Sequence, residues 1–182
     1  SASDIWAVGD GGTALHYDGT NWNATATGAT ANLNSVWGSG PSDVWAVGDM
    51  RTVVRWNGTS WTTKSISDPA ATTLTGVWGP DSTSVWITAL TNVAMESHAI
   101  QIVGPTEGRL KISGLASLNA VWGSNANNVW VVGDSFAGNI VNNAGNQILS
   151  QYAMPTVMRS VWGTGSQDAW AVGDGGIQMR WD

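Results

Sequence analysis

Three features of the sequence predict an all-β fold. A Trp-centred phrase recurs at Trp6, Trp45, Trp86, Trp130 and Trp170, at spacings of 39, 41, 44 and 40 residues. A second phrase, Val-Trp-Gly, places Trp37, Trp78, Trp122 and Trp162 eight residues ahead of the last four. Runs such as Val44–Val47 ("VWAV") are apolar at successive positions. Neighbouring strand side chains point to opposite faces, so such a strand is buried on both. A four-stranded sheet of about 40 residues, held between two others like it, is the blade of a β-propeller. The predicted fold is therefore an all-β propeller of four-stranded antiparallel blades, about five in number.

Unit two, residues 33–73, shows the full pattern. Strand A is Leu33–Gly40, strand B Val44–Asp49 and strand C Thr52–Gly58; strand D starts at Ser60 and reaches about Ile66. Gly, Pro, Ser, Asn and Asp mark each junction, and β-branched and aromatic residues fill the runs. Unit one, residues 1–32, carries B, C and D without A. Units three (74–117) and four (118–157) have all four strands, and unit five (158–182) has A, B and C. That makes eighteen strands where five complete blades need twenty. Three readings follow: a five-bladed ring lacking two strands, a piece of a longer propeller, or self-association through open blade edges. Unit three departs from the pattern, with Leu90 where the others have Asp and a run from Met95 to Gly114 unlike its counterparts. The nine Trp of strands A and B are expected to fill the wedges between blades, and Trp22 and Trp61 to cover the outer edge.

The chain has 182 residues, with 7 Lys and Arg against 13 Asp and Glu, for a net charge of −6. Sparse basic residues argue against nucleic acid. No apolar run has membrane-spanning length, so no membrane insertion is expected. Cys is absent. Only 11% of residues are charged, and Asn, Ser, Thr and Gly take the polar surface. That composition leads us to expect a secreted, periplasmic or cell-surface protein. The chain begins at Ser1 with no visible signal peptide, as a mature product or part of a longer polypeptide would.

Candidate binding residues fall into two groups. Asp10, Asp49, Asp134 and Asp174 end strand B. They belong to the face that carries the B–C loops and D–A connections, where they either accept from sugar hydroxyls or hold a cation, or else cap the turn through its own backbone. Tyr17, Trp56 and Trp181 lie on strand C beside His16, Arg55 and Arg180, and either stack on a sugar ring or pack between strands. Asp4, Asp43 and Asp168 precede strand B, with Ser84 and Asn128 in the same place, and suit turn capping. His16 and His98 sit in no nucleophile arrangement, metal-ligand spacing is missing, and no cofactor motif is present. Glu96 and Glu107 are the only Glu, both in unit three, where a glycosidase carboxylate pair is conceivable.

The corners "YDGTNW" (Tyr17–Trp22) and "WNGTSW" (Trp56–Trp61) resemble the Asp-box, or BNR, repeat of sialidase-type propellers. Looser versions are "GPTEG" (Gly104–Gly108) and "NNAGN" (Asn142–Asn146). The "AVGDGG" runs at Ala7 and Ala171 are also similar to bacterial secreted propellers and to photosystem II assembly-factor propellers with "AVG-x-x-G" strands. The resemblance implies a rigid ring with function on its loops. The leading expectation is a non-catalytic propeller recognising glycan through loops on one face. The alternative is a protein-binding scaffold or assembly factor, and the third is an Asp-box glycosidase.

Overall fold

The protein is described here by a computed structural model covering residues 3–114, 117–143 and 146–182. Blade one comprises β1 (Ile5–Val8), β2 (Thr13–Tyr17) and β3 (Trp22–Ala26). Blade two comprises β4 (Leu33–Gly40), β5 (Asp43–Gly48), β6 (Val53–Trp56) and β7 (Trp61–Lys64). Blade three comprises β8 (Ala71–Asp81), β9 (Ser84–Thr91), β10 (Glu96–Val103) and β11 (Thr106–Ser113). Blade four comprises β12 (Leu118–Asn125), β13 (Asn128–Gly133), β14 (Phe136–Asn143) and β15 (Asn146–Ala153). Blade five comprises β16 (Met158–Gly165), β17 (Asp168–Gly173) and β18 (Gln178–Trp181). Among the described residues the eighteen strands form five antiparallel sheets, each paired in chain order, as the repeat predicts. The corner at Asn142–Asn146 includes positions outside the described residues. Among the described residues, no helix is long and apolar enough to cross a membrane.

The continuous apolar runs resolve into two alternating faces. Trp45 and Val47 of β5 pack toward blade three, in a core with Val77, Val85 and Ile87. Val44 and Ala46 of the same strand pack toward blade one, with Ala14, Trp6 and Val8. Blades three and four meet around Trp86, Val121, Val129 and Ile140. Blades four and five meet around Trp130, Met158, Val161 and Ala169. A buried indole removes roughly 200 Å² from water, or about 5 kcal/mol as an upper estimate at about 25 cal/mol per Å². That explains how strands this short hold neighbouring sheets.

The Gly of Val-Trp-Gly has an equally specific task. A Cβ at Gly79 would lie 2.9 Å from Cη2 of Trp37 in the preceding blade. At Gly123 it would lie 2.6 Å from Trp78 Cη2, and at Gly163 2.7 Å from Trp122 Cη2. The strand-A indoles of blades two, three and four thus each enter a notch kept open by the glycine of the next blade.

Trp162 and Trp170 depart from the expectation that every strand-A and strand-B Trp is core. They are 61% and 39% exposed. They are blade five's strand-A and strand-B indoles, and among the described residues no sheet follows blade five to cover them. Trp22 is exposed at its corner, whereas Trp61 is buried and its Nε1 donates to Thr25 Oγ1 at 3.1 Å.

Candidate functional site

The B–C loops meet the D–A connections at one end of the sheets. The amide of Asp49 donates to Asn32 O at 3.0 Å, that of Asp134 to Ser117 O at 3.2 Å, and that of Asp174 to Val157 O at 2.9 Å. The glycine before each Asp allows this approach. A Cβ would stand 1.8 Å from Asn32 O at Gly48, 2.0 Å from Ser117 O at Gly133 and 2.3 Å from Val157 O at Gly173. In blades two, four and five the recurrent Gly-Asp is therefore the clasp that fastens the blade's entry chain to its second strand.

The four Asp side chains differ in their surroundings. Asp49 accepts from Asn32 Nδ2 at 3.2 Å and Asn34 Nδ2 at 3.1 Å. Asp174 takes both arms of Arg159, at 2.8 and 2.7 Å, and the Arg159 hydrogen bonds hold its carboxyl below the usual aspartate range. Asp10 is exposed at the head of a short 3-10 turn, where its carbonyl accepts from Thr13 Oγ1 at 2.7 Å. Asp134 is half-buried at the end of β13. Each stands on its own blade. Among the described residues no group of three or more His, Cys, Asp or Glu is arranged to hold a metal ion.

The loop of blade two holds two successive non-glycine residues at positive φ, where those of blades three and four hold one each, Met95 at 57° and Ser135 at 51°. Blades one and five turn here on Gly11–Gly12 and Gly175–Gly176, all at positive φ. Blade two uses Met50 and Arg51 instead, at φ 53° and 58°. A left-handed non-glycine residue costs about 1–2 kcal/mol. Met50 is 72% exposed. Clefts of about 470 and 520 Å³ lie on either side of it, the first running to Lys64 and Ile66 and the second to Pro69.

Beyond the second cleft, the divergent run of unit three builds a charged cluster. His98 is fully buried; its Nδ1 meets Asp68 and its Nε2 meets Glu96 Oε1 at 2.7 Å. Arg109 Nη1 donates to Asp68 Oδ1 at 2.9 Å, and Lys111 stands 3.3 Å from Glu96. Burial pushes the Asp68 carboxyl up, but hydrogen bonds from His98, the Ala70 amide and Arg109 outweigh it and hold it below the ordinary value. Glu107 accepts from the Ser67 amide at 2.9 Å. The cluster clamps the connection between blades two and three. Its sequence signal was a lone His beside Glu, Arg and Lys in the one unit that breaks the repeat.

The opposite end of the sheets holds Tyr17, Trp56 and Trp181, so they do not share a site with the four Asp. All three are half-buried. Tyr17 packs on Trp22 with ring centroids 5.4 Å apart. Trp56 packs on Trp6 at 5.1 Å and Trp61 at 5.9 Å, and its Nε1 donates to Pro41 O at 3.1 Å. Trp181 lies 4.6 Å from Trp130.

The same end carries a motif that the sequence reading missed. Asp43 accepts from Ser39 Oγ at 2.6 Å, Trp45 Nε1 at 3.1 Å and Arg55 Nε at 2.7 Å. Asp168 repeats it with Thr164 at 2.5 Å, Trp170 at 3.0 Å and Arg180 at 2.9 Å. Both guanidinium groups lie over the Trp ring they adjoin. Asp4 meets His16 at 2.8 Å, and His16 stacks on Trp6. In blade three the pair is Ser84 with Gln101, and in blade four Asn128 with Asn139. The partner is always the strand-C residue opposite the strand-B Trp. Where the acid is replaced, or taken by His16, the indole N–H of Trp86, Trp130 or Trp6 has no hydrogen-bond partner.

The corners between strands C and D of blades one and two are closely matched Asx turns. Asp18 Oδ1 accepts from the amides of Thr20 and Asn21 at 2.9 and 2.8 Å, and Asn57 Oδ1 from those of Thr59 and Ser60, both at 2.9 Å. Gly19 and Gly58 follow at φ 97° and 96°. Glu96 and Glu107 do not face each other. Glu107 pairs with Ile102, six residues along β10 from Glu96. At about 3.4 Å per residue this is roughly 20 Å, against about 5–9.5 Å for glycosidase pairs.

No protein-family model matches the chain, and no curated protein matches it. Its likeness is to solved structures. One is a chain of "Crystal Structure of Mitotic Checkpoint Complex", with TM-score 0.77 and 13% identity, covering 98% of this chain and 58% of that one. Another is "YCF48 bound to D1 peptide", with TM-score 0.68 and 16% identity, covering 100% of this chain and 61% of that one. The chain spans about three fifths of the length of each. These likenesses establish the fold, an all-β propeller, and give no support to the Asp-box assignment in particular.

Proposed function

We propose that the protein is a non-catalytic scaffold that binds a protein partner through the face carrying Met50 and Arg51. The observation that carries this reading is the strained, exposed pair itself. Two sister loops make the same turn with Gly-Gly, so the fold does not require side chains there. Backbone strain held at an exposed loop tip is a mark of function. Met adapts its shape to apolar partners, and Arg adds directed hydrogen bonds. The flanking clefts offer room for an extended segment. YCF48, of similar fold, is recorded with a peptide, which gives this reading a precedent.

The glycan reading has less behind it. Its aromatic candidates Tyr17, Trp56 and Trp181 are engaged in packing, and its Asp candidates Asp49 and Asp174 are engaged by neighbours. A photoreactive residue at Met50, tested in extract from the native source, is expected to capture a defined partner. The same probe at Asn127, on the opposite end, is expected to capture none, and Arg51→Ala is expected to weaken the purified complex. Equal capture at both positions, or saturable binding of simple sugars instead, would refute the proposal.

A further inference from the structure

Strand D carries two charges that its repeat positions do not require. The strand-C residue after the partner of the strand-B Trp is Tyr17, Trp56, Ile102 and Ile140 in blades one to four, and across from these on strand D stand Trp22, Trp61, Glu107 and Leu149. Three residues further along strand D come Thr25, Lys64, Leu110 and Tyr152. An acid enters the first series only in blade three, and a base enters the second only in blade two. Both side chains line one cleft of about 400 Å³ between these two blades, with Arg55 beside them and Val85, Ile102 and Pro105 as apolar wall. Among the described residues, Lys64 is the one Lys or Arg of the seven with neither a hydrogen bond nor an ion pair. Glu107 accepts from the Ser67 amide and forms no ion pair among the described residues. The two opposite charges thus share a cleft without meeting.

We infer that this cleft binds a small zwitterion, an amino acid with an apolar side chain. The carboxylate goes to Lys64 and to the Arg55 guanidinium, whose Nε is held by Asp43 and whose Nη2 reaches the Ser82 carbonyl at 3.4 Å, leaving Nη1 to donate. The ammonium goes to Glu107, and the side chain lies along Val85, Ile102 and Pro105. The volume falls in the range of small-molecule sites, which pair an apolar lining with a few placed polar groups. Charge-assisted hydrogen bonds at both ends supply the affinity. They also supply the selectivity, since a lone carboxylate would face Glu107 and a lone amine would face Lys64 and Arg55. Only a ligand carrying both charges meets the opposite sign at each wall.

This site does not rest on the loop-face proposal. Leucine tests it, by titration calorimetry on the native protein at low salt. Saturable binding is expected. It should weaken at least roughly tenfold for isopentylamine, which lacks the carboxylate, and for isocaproate, which lacks the ammonium, the scale of one charge-assisted hydrogen bond. Lys64→Gln changes an exposed side chain and is expected to weaken leucine while narrowing its lead over isopentylamine. Glu107→Gln keeps an acceptor for the Ser67 amide and is expected to narrow the lead over isocaproate. Melting curves check that both variants fold. Met50→Gly with Arg51→Gly is expected to leave leucine binding unchanged, which separates failure here from failure of the loop-face proposal. No saturable binding of leucine overturns the inference. So does binding that neither Lys64→Gln nor Glu107→Gln weakens, or equal binding of leucine and either analogue.

Discussion

Arg55→Ala removes the cation that Asp43 faces at the base of blade two. The Asp43 side chain is 8% exposed and that of Arg55 32%, with 2.7 Å between Nε and Oδ1. Removing one member of a fully buried pair costs about 3–5 kcal/mol, because the other charge is left unpaired. An exposed pair contributes about 0–1 kcal/mol. Here the acid is buried and keeps Ser39 and Trp45 as donors, while the base is one-third open. A loss of about 2–3 kcal/mol is expected, between those two limits. For a domain of this size that lowers Tm by roughly 5–10 °C. Urea unfolding followed by Trp fluorescence reads it, and Arg55→Ala combined with Asp43→Asn should recover part of the loss. Arg180→Ala is the internal control. The Asp168–Arg180 pair has the same geometry but is 28% and 51% exposed, so its loss is expected to be clearly smaller. Equal losses at Arg55 and Arg180 would refute the argument that burial sets the value of the motif.

Gly48→Ala is expected to cost about 3 kcal/mol or more, the upper end for overpacking, since the added methyl meets the Asn32 carbonyl. Gly40→Ala, with nothing within 4 Å, should change the melting curve little, and similar effects at both sites would contradict the clasp. Replacing Met50 and Arg51 with Gly relieves about 1–2 kcal/mol of strain each against about 0.5–1 kcal/mol of chain entropy each. A net gain of about 1 kcal/mol is therefore expected, with loss of partner capture; a destabilised double variant would show that the loop serves the fold instead. Asp68 has a folded pKa below its ordinary value, so its contribution is intact above about pH 4 and is lost as pH falls through the lowered value. Asp68→Asn should flatten that part of the acid limb in urea titrations from pH 5 to pH 2, whereas parallel curves for variant and parent would count against the clamp.

The fold was legible because one physical demand repeats. The interfaces between blades two and three, three and four, and four and five each use an indole on strand A and another on strand B, so period and strand count show directly in the Trp positions. Exposure of Trp162 and Trp170 was not legible, because burial depends on the sheet that stands opposite. The Asp43 motif was half legible. Its partner lies twelve residues away on another strand, yet the two positions vary together as Asp–His, Asp–Arg, Ser–Gln, Asn–Asn and Asp–Arg. The clamp around His98 joins Asp68 to a residue thirty positions on, and no periodicity marks such a pair. At the loop face, the turn chemistry of Gly-Asp was readable, but its cause was not. The glycine is required by a carbonyl from the preceding connection, which only the folded chain brings near.

Everything rests on indoles seated in glycine notches between adjacent blades, and a double-mutant cycle on Trp78 and Gly123 tests that most directly. Gly123→Ala places a methyl 2.6 Å from two ring atoms of Trp78. In the parent it is expected to cost about 1–3 kcal/mol. In the Trp78→Ala background the ring is gone, and the cost should fall by about 1 kcal/mol or more, well beyond the roughly 0.5 kcal/mol scatter of independent sites. The same cost in both backgrounds would mean that the two residues do not meet, and would contradict this arrangement of blades.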